Sequence, residues 1–248
     1  MGSRGRWRIS GFYLLCMGLY MQQAGAQGVE VSGKILIRQA SEASGKKHKA
    51  SSDAENVVIW LSPTKPGSVP PFTPVRQTSY RLVQKNKMFT PHLLVVPTGS
   101  SVQFPNEDPF FHNVFSLFNG KRFDLGLYES GTSRSVRFDR EGVSYIFCNI
   151  HPEMGAVILA LSTPLYGVSG PDGVVSVHNV PPGSYRLNIW SENAQTTNQP
   201  VEERIVQVSA EPVHLGEITL QTTTGVLANH KNKFGEEYPP VRDPGYQK

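Results

Sequence analysis

The feature that most limits how this chain can fold is a long series of short apolar runs, each of strand length and most closed by turn residues. They occupy 29–37, 57–61, 93–96, 101–104, 135–138, 144–147, 157–161, 174–177, 185–189, 204–208 and 214–220. Pro97-Thr98-Gly99, Pro105-Asn106-Glu107-Asp108 and Pro171-Asp172-Gly173 supply turn chemistry between them. No apolar pattern of helical period follows residue 26. Many short strands at this spacing predict an all-β chain of sandwiches or barrels.

The first 26 residues stand apart. Arg4, Arg6 and Arg8 precede an apolar stretch over 9–21, and Ala24-Gly25-Ala26 offers small residues at a cleavage site. This is the pattern of a secretory signal peptide, removed after Ala26, so the expectation is an exported protein, periplasmic or extracellular. The apolar stretch is shorter than the ~20 residues a spanning helix requires, so no transmembrane anchor is expected after processing.

Cleavage also changes the charge. The whole chain has 24 Lys+Arg against 20 Asp+Glu, a net of +4. Without the three leader arginines, 21 basic residues face 20 acidic ones, a net near +1. No basic stripe remains to support a nucleic-acid partner.

Of the two cysteines, Cys16 leaves with the leader. Cys148 is then a lone thiol in an oxidising compartment, unable to staple its own chain. Two readings are open on composition alone: a metal ligand, or a buried small hydrophobe. The neighbours favour the ligand. In GVSYIFCNIHPEMGAVILAL a strand ends at Cys148, a tight loop carries His151 and Met154, and a strand resumes at Ala156. His112 arrives from a separate turn after Phe104-Pro105-Asn106-Glu107-Asp108.

One cysteine and two histidines make the trigonal donor set of a type 1 copper ion, and a methionine supplies the weak axial ligand. Zinc accepts Cys and His but rarely recruits Met. The alternatives are Met154 as core filler and His112 as a satisfied core histidine. His92 is an extra ligand candidate. His178 and His214 fall in other strands, and His48 and His230 in polar stretches.

The PNxDxxxHNV turn together with Cys-x-x-His-x-x-Met resembles the cupredoxin family, in its plastocyanin/amicyanin group, over about residues 81–161. The resemblance implies one type 1 copper held by His112, Cys148, His151 and Met154. It also implies that Asn113 directs its backbone N–H at the ligating sulfur. One position departs from the pattern: the proline two residues after the cysteine is replaced by Ile150. Ile150 keeps an N–H that can donate a second hydrogen bond to the thiolate, which would favour Cu(I).

A second resemblance frames the first. The segment GPDGVVSVHNVPPGSYRLNIW is similar to the latter half of a carboxypeptidase-regulatory or transthyretin-like sandwich, and VEVSGKILI with AENVVIWL supplies a first half. The domain order resembles bacterial methylamine-utilisation-type plastocyanin-like proteins. The expected plan is therefore a signal peptide (1–26), N-terminal strands of a split transthyretin-like sandwich (27–66) and a Pro-rich linker (67–80). A cupredoxin Greek-key sandwich (81–162), the C-terminal part of the split sandwich (163–222) and a disordered tail (223–248) follow.

The function expected from these residues is one-electron transfer by an exported blue copper protein docking transiently on redox-protein partners. Copper binding and handling without electron transfer is the alternative. No His-x-His pairs or hydrolase motif are present, so an enzyme is not expected. The transthyretin-like part suggests protein or glycan contact by fold analogy alone.

Overall fold

The computed structural model describes residues 28–38, 54–67, 79–117, 120–192, 204–221 and 230–238. The expected signal peptide, most of the Pro-rich linker and much of the tail lie outside them. Among the described residues there are seventeen strands and no helix, so no helix long and apolar enough to cross a membrane. The all-β expectation holds.

Strands β1 (Val29–Arg38) and β2 (Val58–Pro63) come before the linker, and β13 (Tyr166–Val168), β14 (Val174–Val180), β15 (Gly183–Trp190), β16 (Ile205–Val208) and β17 (Val213–Gln221) come at the other end of the chain. β1 lies between β14, antiparallel, and β17, parallel. β2 lies between β13 and β15, antiparallel to both, and β16 extends that sheet. Val31, Ile35, Ile59 and Leu61 from the N-terminal pair are fully buried against Val177, Val180, Tyr185 and Leu187. The alternation in VEVSGKILI gives β1 its buried face: Val31 and Ile35 point inward four residues apart, as a period of two requires.

The middle of the chain builds a separate core. β6 (Leu93–Pro97), β12 (Gly155–Leu161), β11 (Gly142–Phe147), β8 (His112–Ser116) and β9 (Phe123–Tyr128) form a five-stranded sheet in that order. Facing it is a sheet of β10 (Ser133–Phe138), β7 (Ser100–Pro105) and β3 (Tyr80–Arg81), beside a hairpin of β4 (Val83–Lys85) and β5 (Met88–Thr90). Val102, Phe104 and Phe138 of the smaller sheet meet Val114, Ile146 and Ile158 of the larger, and Cys148 and Met154 sit in the same core.

β12 joins the two cores. Ala156, Ile158 and Ala160 face the middle sandwich, while Leu159 and Leu161 pack with Val58, flanked by Trp60, Tyr166 and Trp190. A strand buried on both faces reads as a continuous apolar run, as GAVILAL does.

Two expectations change. His112 stands not on a turn but as the first residue of β8, whose five residues HNVFS are all buried. With both faces covered, β8 has no alternation to betray it. The tail, expected to be disordered from residue 223, is described at 230–238, where the chain makes its own turn. There Asn232 Oδ1 accepts the N–H groups of Phe234 and Glu236, and Gly235 turns the chain at φ +81°. A polar sequence satisfied by its own turn carries no strand period, so pattern alone missed it.

Candidate metal centre

The site begins with a tight turn. Asn86 and Lys87 both have φ of 55°, the left-handed pair that closes a two-residue hairpin, here between β4 and β5. Their N–H groups donate to Asp108, at 2.6 Å for Asn86 to Oδ1 and 3.0 Å for Lys87 to Oδ2. Asn106 shapes the other side: its Oδ1 accepts the Asp108 N–H at 3.1 Å, and its Nδ2 donates to the Phe110 carbonyl. Burial alone would push the Asp108 carboxyl up. The donors Lys87 N–H, His112 and Asn86 N–H outweigh it and hold the group below the usual carboxylate range.

Asp108 fixes His112. Oδ2 lies 2.8 Å from His112 Nε2, so that nitrogen carries the hydrogen and Nδ1 is left with its lone pair. Nδ1 is 3.7 Å from Cys148 Sγ.

The second half of the site is the loop between β11 and β12. Cys148 N–H donates to the Met154 carbonyl and Met154 N–H to the His151 carbonyl, closing a compact turn around 148–154. This brings His151 Nδ1 to 3.5 Å from Cys148 Sγ and buries Met154 completely beside them. The donor atoms of His112, Cys148 and His151 all lie within 4.8 Å of one another. A metal with thiolate at ~2.3 Å and imidazole at ~2.0 Å separates those donors by about 3.5 Å at a tetrahedral angle and about 3.7 Å at a trigonal one. The observed sulfur–nitrogen spacings suit either.

The electrostatics also suit a cation. Burial pushes the Cys148 thiol up, opposed by backbone N–H groups of Asn113, Ile150 and His151 directed at the sulfur. Burial, then the neighbouring His112 and Lys87, lowers His151 to about 4, so its ring is a neutral lone-pair donor at pH 7. Without metal the raised Cys148 keeps its proton, so a soft cation binding here would displace that proton and take up the sulfur as a thiolate.

The ligand candidates singled out in the sequence all lie among the described residues. His112, Cys148 and His151 converge, Met154 is buried on the same loop, and the N–H groups of Asn113 and Ile150 face the sulfur. His92 lies apart, with Nε2 2.5 Å from Glu192 Oε2. Sequence reasoning gave no role to Asp108 or to Phe110, whose ring packs on both His112 and His151 at 5.2 and 5.8 Å. The i,i+4 spacing of Asp108 and His112 was the available signal for the first.

No family model and no curated protein matches the chain. Among solved structures, the chain is similar to a purple cupredoxin from Nitrosopumilus maritimus at 23% identity, over 34% of this chain and all of that one, with a TM-score of 0.31. A reduced Cu(I) form of an amicyanin variant is 18% identical over 42% of this chain and 98% of its own, at a TM-score of 0.33. A Cu-containing nitrite reductase from Thermus scotoductus is 21% identical over 41% of this chain and 26% of its own, at a TM-score of 0.34.

Proposed function

We propose that this chain is an exported type 1 copper protein that carries single electrons between transient redox partners. One observation carries the reading: the Cys148 sulfur lies 3.7 and 3.5 Å from the Nδ1 atoms of His112 and His151, and its loop also buries the Met154 thioether. Soft sulfur with imidazole is a copper donor set. When bound there, copper would supply the one-electron couple. The chain's own residues do the rest. Asp108 holds His112 in one tautomer, three backbone N–H groups face the sulfur, and the Phe110 ring packs on both imidazoles. His112, Cys148, His151 and Met154 are the proposed ligands.

Oxidised, copper-loaded protein should be strongly coloured, with one copper per chain. Cys148→Ser should remove the colour and leave the β-sheet circular dichroism intact. A variant that keeps full colour would overturn the assignment.

We further propose that β1 and β2 complete one transthyretin-like sandwich with β13 to β17, the copper sandwich being inserted between its halves. The central places of β1 and β2 in their sheets support this. Deleting residues 27–62 should unfold the C-terminal part and spare the copper colour; an unchanged melting profile of that part would contradict it.

A further inference from the structure

The stretch 230–238 lies far along the chain from the ligand loop yet touches it repeatedly. Tyr238 donates its hydroxyl hydrogen to the Cys148 carbonyl at 2.9 Å. The Lys233 N–H donates to Asn149 Oδ1 at 2.9 Å. His230 stacks on Phe147 with ring centroids 4.2 Å apart and meets Tyr238 edge-on at 5.3 Å. Three consecutive residues, Phe147 to Asn149, are thus held from outside the sandwich.

The same stretch also reaches β9 and, through it, β8. Lys233 Nζ lies 2.7 Å from Asp124 Oδ2, and Asp124 Oδ1 accepts from Asn113 Nδ2 at 2.7 Å. Asn113 is one of the residues whose backbone N–H faces Cys148 Sγ. Lys233 therefore ties the residue following the cysteine to the strand that presents a hydrogen bond to its sulfur.

We propose that residues 230–238 are a clasp of the metal centre, with Lys233 and Tyr238 as positioning residues that fix the Cys148 sulfur between Asn113 and the ligand loop. Tyr238 anchors the cysteine backbone, and Lys233 holds Asn149 and Asn113 at a set separation. The sulfur's orientation toward Asn113 N–H and Ile150 N–H depends on both. A plain surface covering would shelter Phe147 without needing the two polar anchors. The role in tuning copper rests on the copper reading; the role in holding the cysteine does not.

The test uses the full chain as Tyr238→Phe, Lys233→Met and the double variant, with Lys233→Arg as the conservative control. In metal-free protein, the rate at which a maleimide modifies Cys148 should rise on the order of tenfold in the double variant, because local opening becomes easier. In copper-loaded protein the double variant should move the reduction potential and the thiolate band and lose Cu(I) to a chelator about tenfold faster or more. Lys233→Arg, which keeps the cation opposite Asp124, should leave both close to the unaltered protein. Should the double variant lose its fold by circular dichroism, Tyr238→Phe, which removes a single oxygen, gives the same readouts at smaller size. Wild-type maleimide rates in a folded variant would overturn the clasp. A full chain that gains no colour with copper would sink the copper reading, while the maleimide rates still decide the clasp.

Discussion

Asp108 Oδ2 accepts the Nε2 hydrogen of His112 at 2.8 Å, with both side chains almost wholly inside the protein. The carboxylate does two things to the imidazole: it sets the tautomer, and it makes Nδ1 a stronger donor. Its own position comes from the Asn86-Lys87 turn, so a surface hairpin determines which nitrogen faces the sulfur.

Asp108→Asn keeps an acceptor but removes the charge. Copper should still bind, with a higher reduction potential, because a less electron-rich imidazole supports Cu(II) less well. Asp108→Ala removes the acceptor for three donors and should weaken copper binding about 10–100-fold. Competition with a chelator of known affinity measures it. Affinity unchanged in the alanine variant would show that His112 is held by packing alone.

His151 predicts a pH dependence whose sign is fixed by its lowered value. In metal-free protein its folded pKa is about 4, set mainly by burial, against an unfolded value near ~6.5. Between those values the unfolded chain binds the extra proton. Stability is therefore full above about pH 6.5 and declines as pH falls toward about 4. His151→Gln should flatten that part of the profile in chemical denaturation. In copper-loaded protein the same depression means that a proton competes for the ring only in acid. The reduction potential should stay level from about pH 8 to about pH 5 and rise below, since protonation at His151 favours Cu(I). A rise beginning near pH 7 would show a ring far freer than its burial implies.

Much of the architecture is legible in the sequence. Each of the eleven apolar runs overlaps a strand, because half-buried strands such as β1 and β7 leave an alternation that survives in sequence. β8 was not legible, since HNVFS is buried on both faces and its partner β9 is interrupted by Gly126 at φ +67° and a shifted register. At the site, residue type and spacing pointed to His112, Cys148, His151 and Met154, whereas what holds them did not show. Asp108 depends on a hairpin turn some twenty residues earlier, and Tyr238 contacts Cys148 across ninety positions. Contacts of that range leave no local period.

His92 and Glu192 predict a second pH effect, of the opposite sign. The pair spans from the start of β6 to the end of β15 and so links the two cores. The hydrogen bond to Glu192 raises the pKa of the half-exposed His92 against partial desolvation. Its stabilisation is complete below the unfolded value near ~6.5 and is lost as pH rises through the raised folded value. Glu192→Gln should abolish that loss, seen as a melting temperature no longer falling across neutral pH. Parallel profiles for the two proteins would mean that the pair contributes nothing to holding the cores together.

Ile150 separates an electron carrier from a copper store, because its backbone and its side chain have different jobs. Its N–H faces the Cys148 sulfur, while the residue is 45% exposed on the ligand loop. Phe111, 56% exposed, stands next to the other histidine. Ile150→Glu keeps the N–H and changes only the outer face. It should leave the visible spectrum nearly as it was and slow electron exchange with a small soluble redox protein, since brief redox encounters rely on small apolar contacts. Ile150→Pro removes the N–H instead. The sulfur then keeps more of its electron density, which should shift the charge-transfer band and lower the reduction potential. In the unaltered protein, electron exchange should run far faster than loss of Cu(I) to a chelator. Ready loss of Cu(I) with sluggish exchange, insensitive to Ile150→Glu, would make copper handling the function and leave the apolar rim without a redox partner to receive.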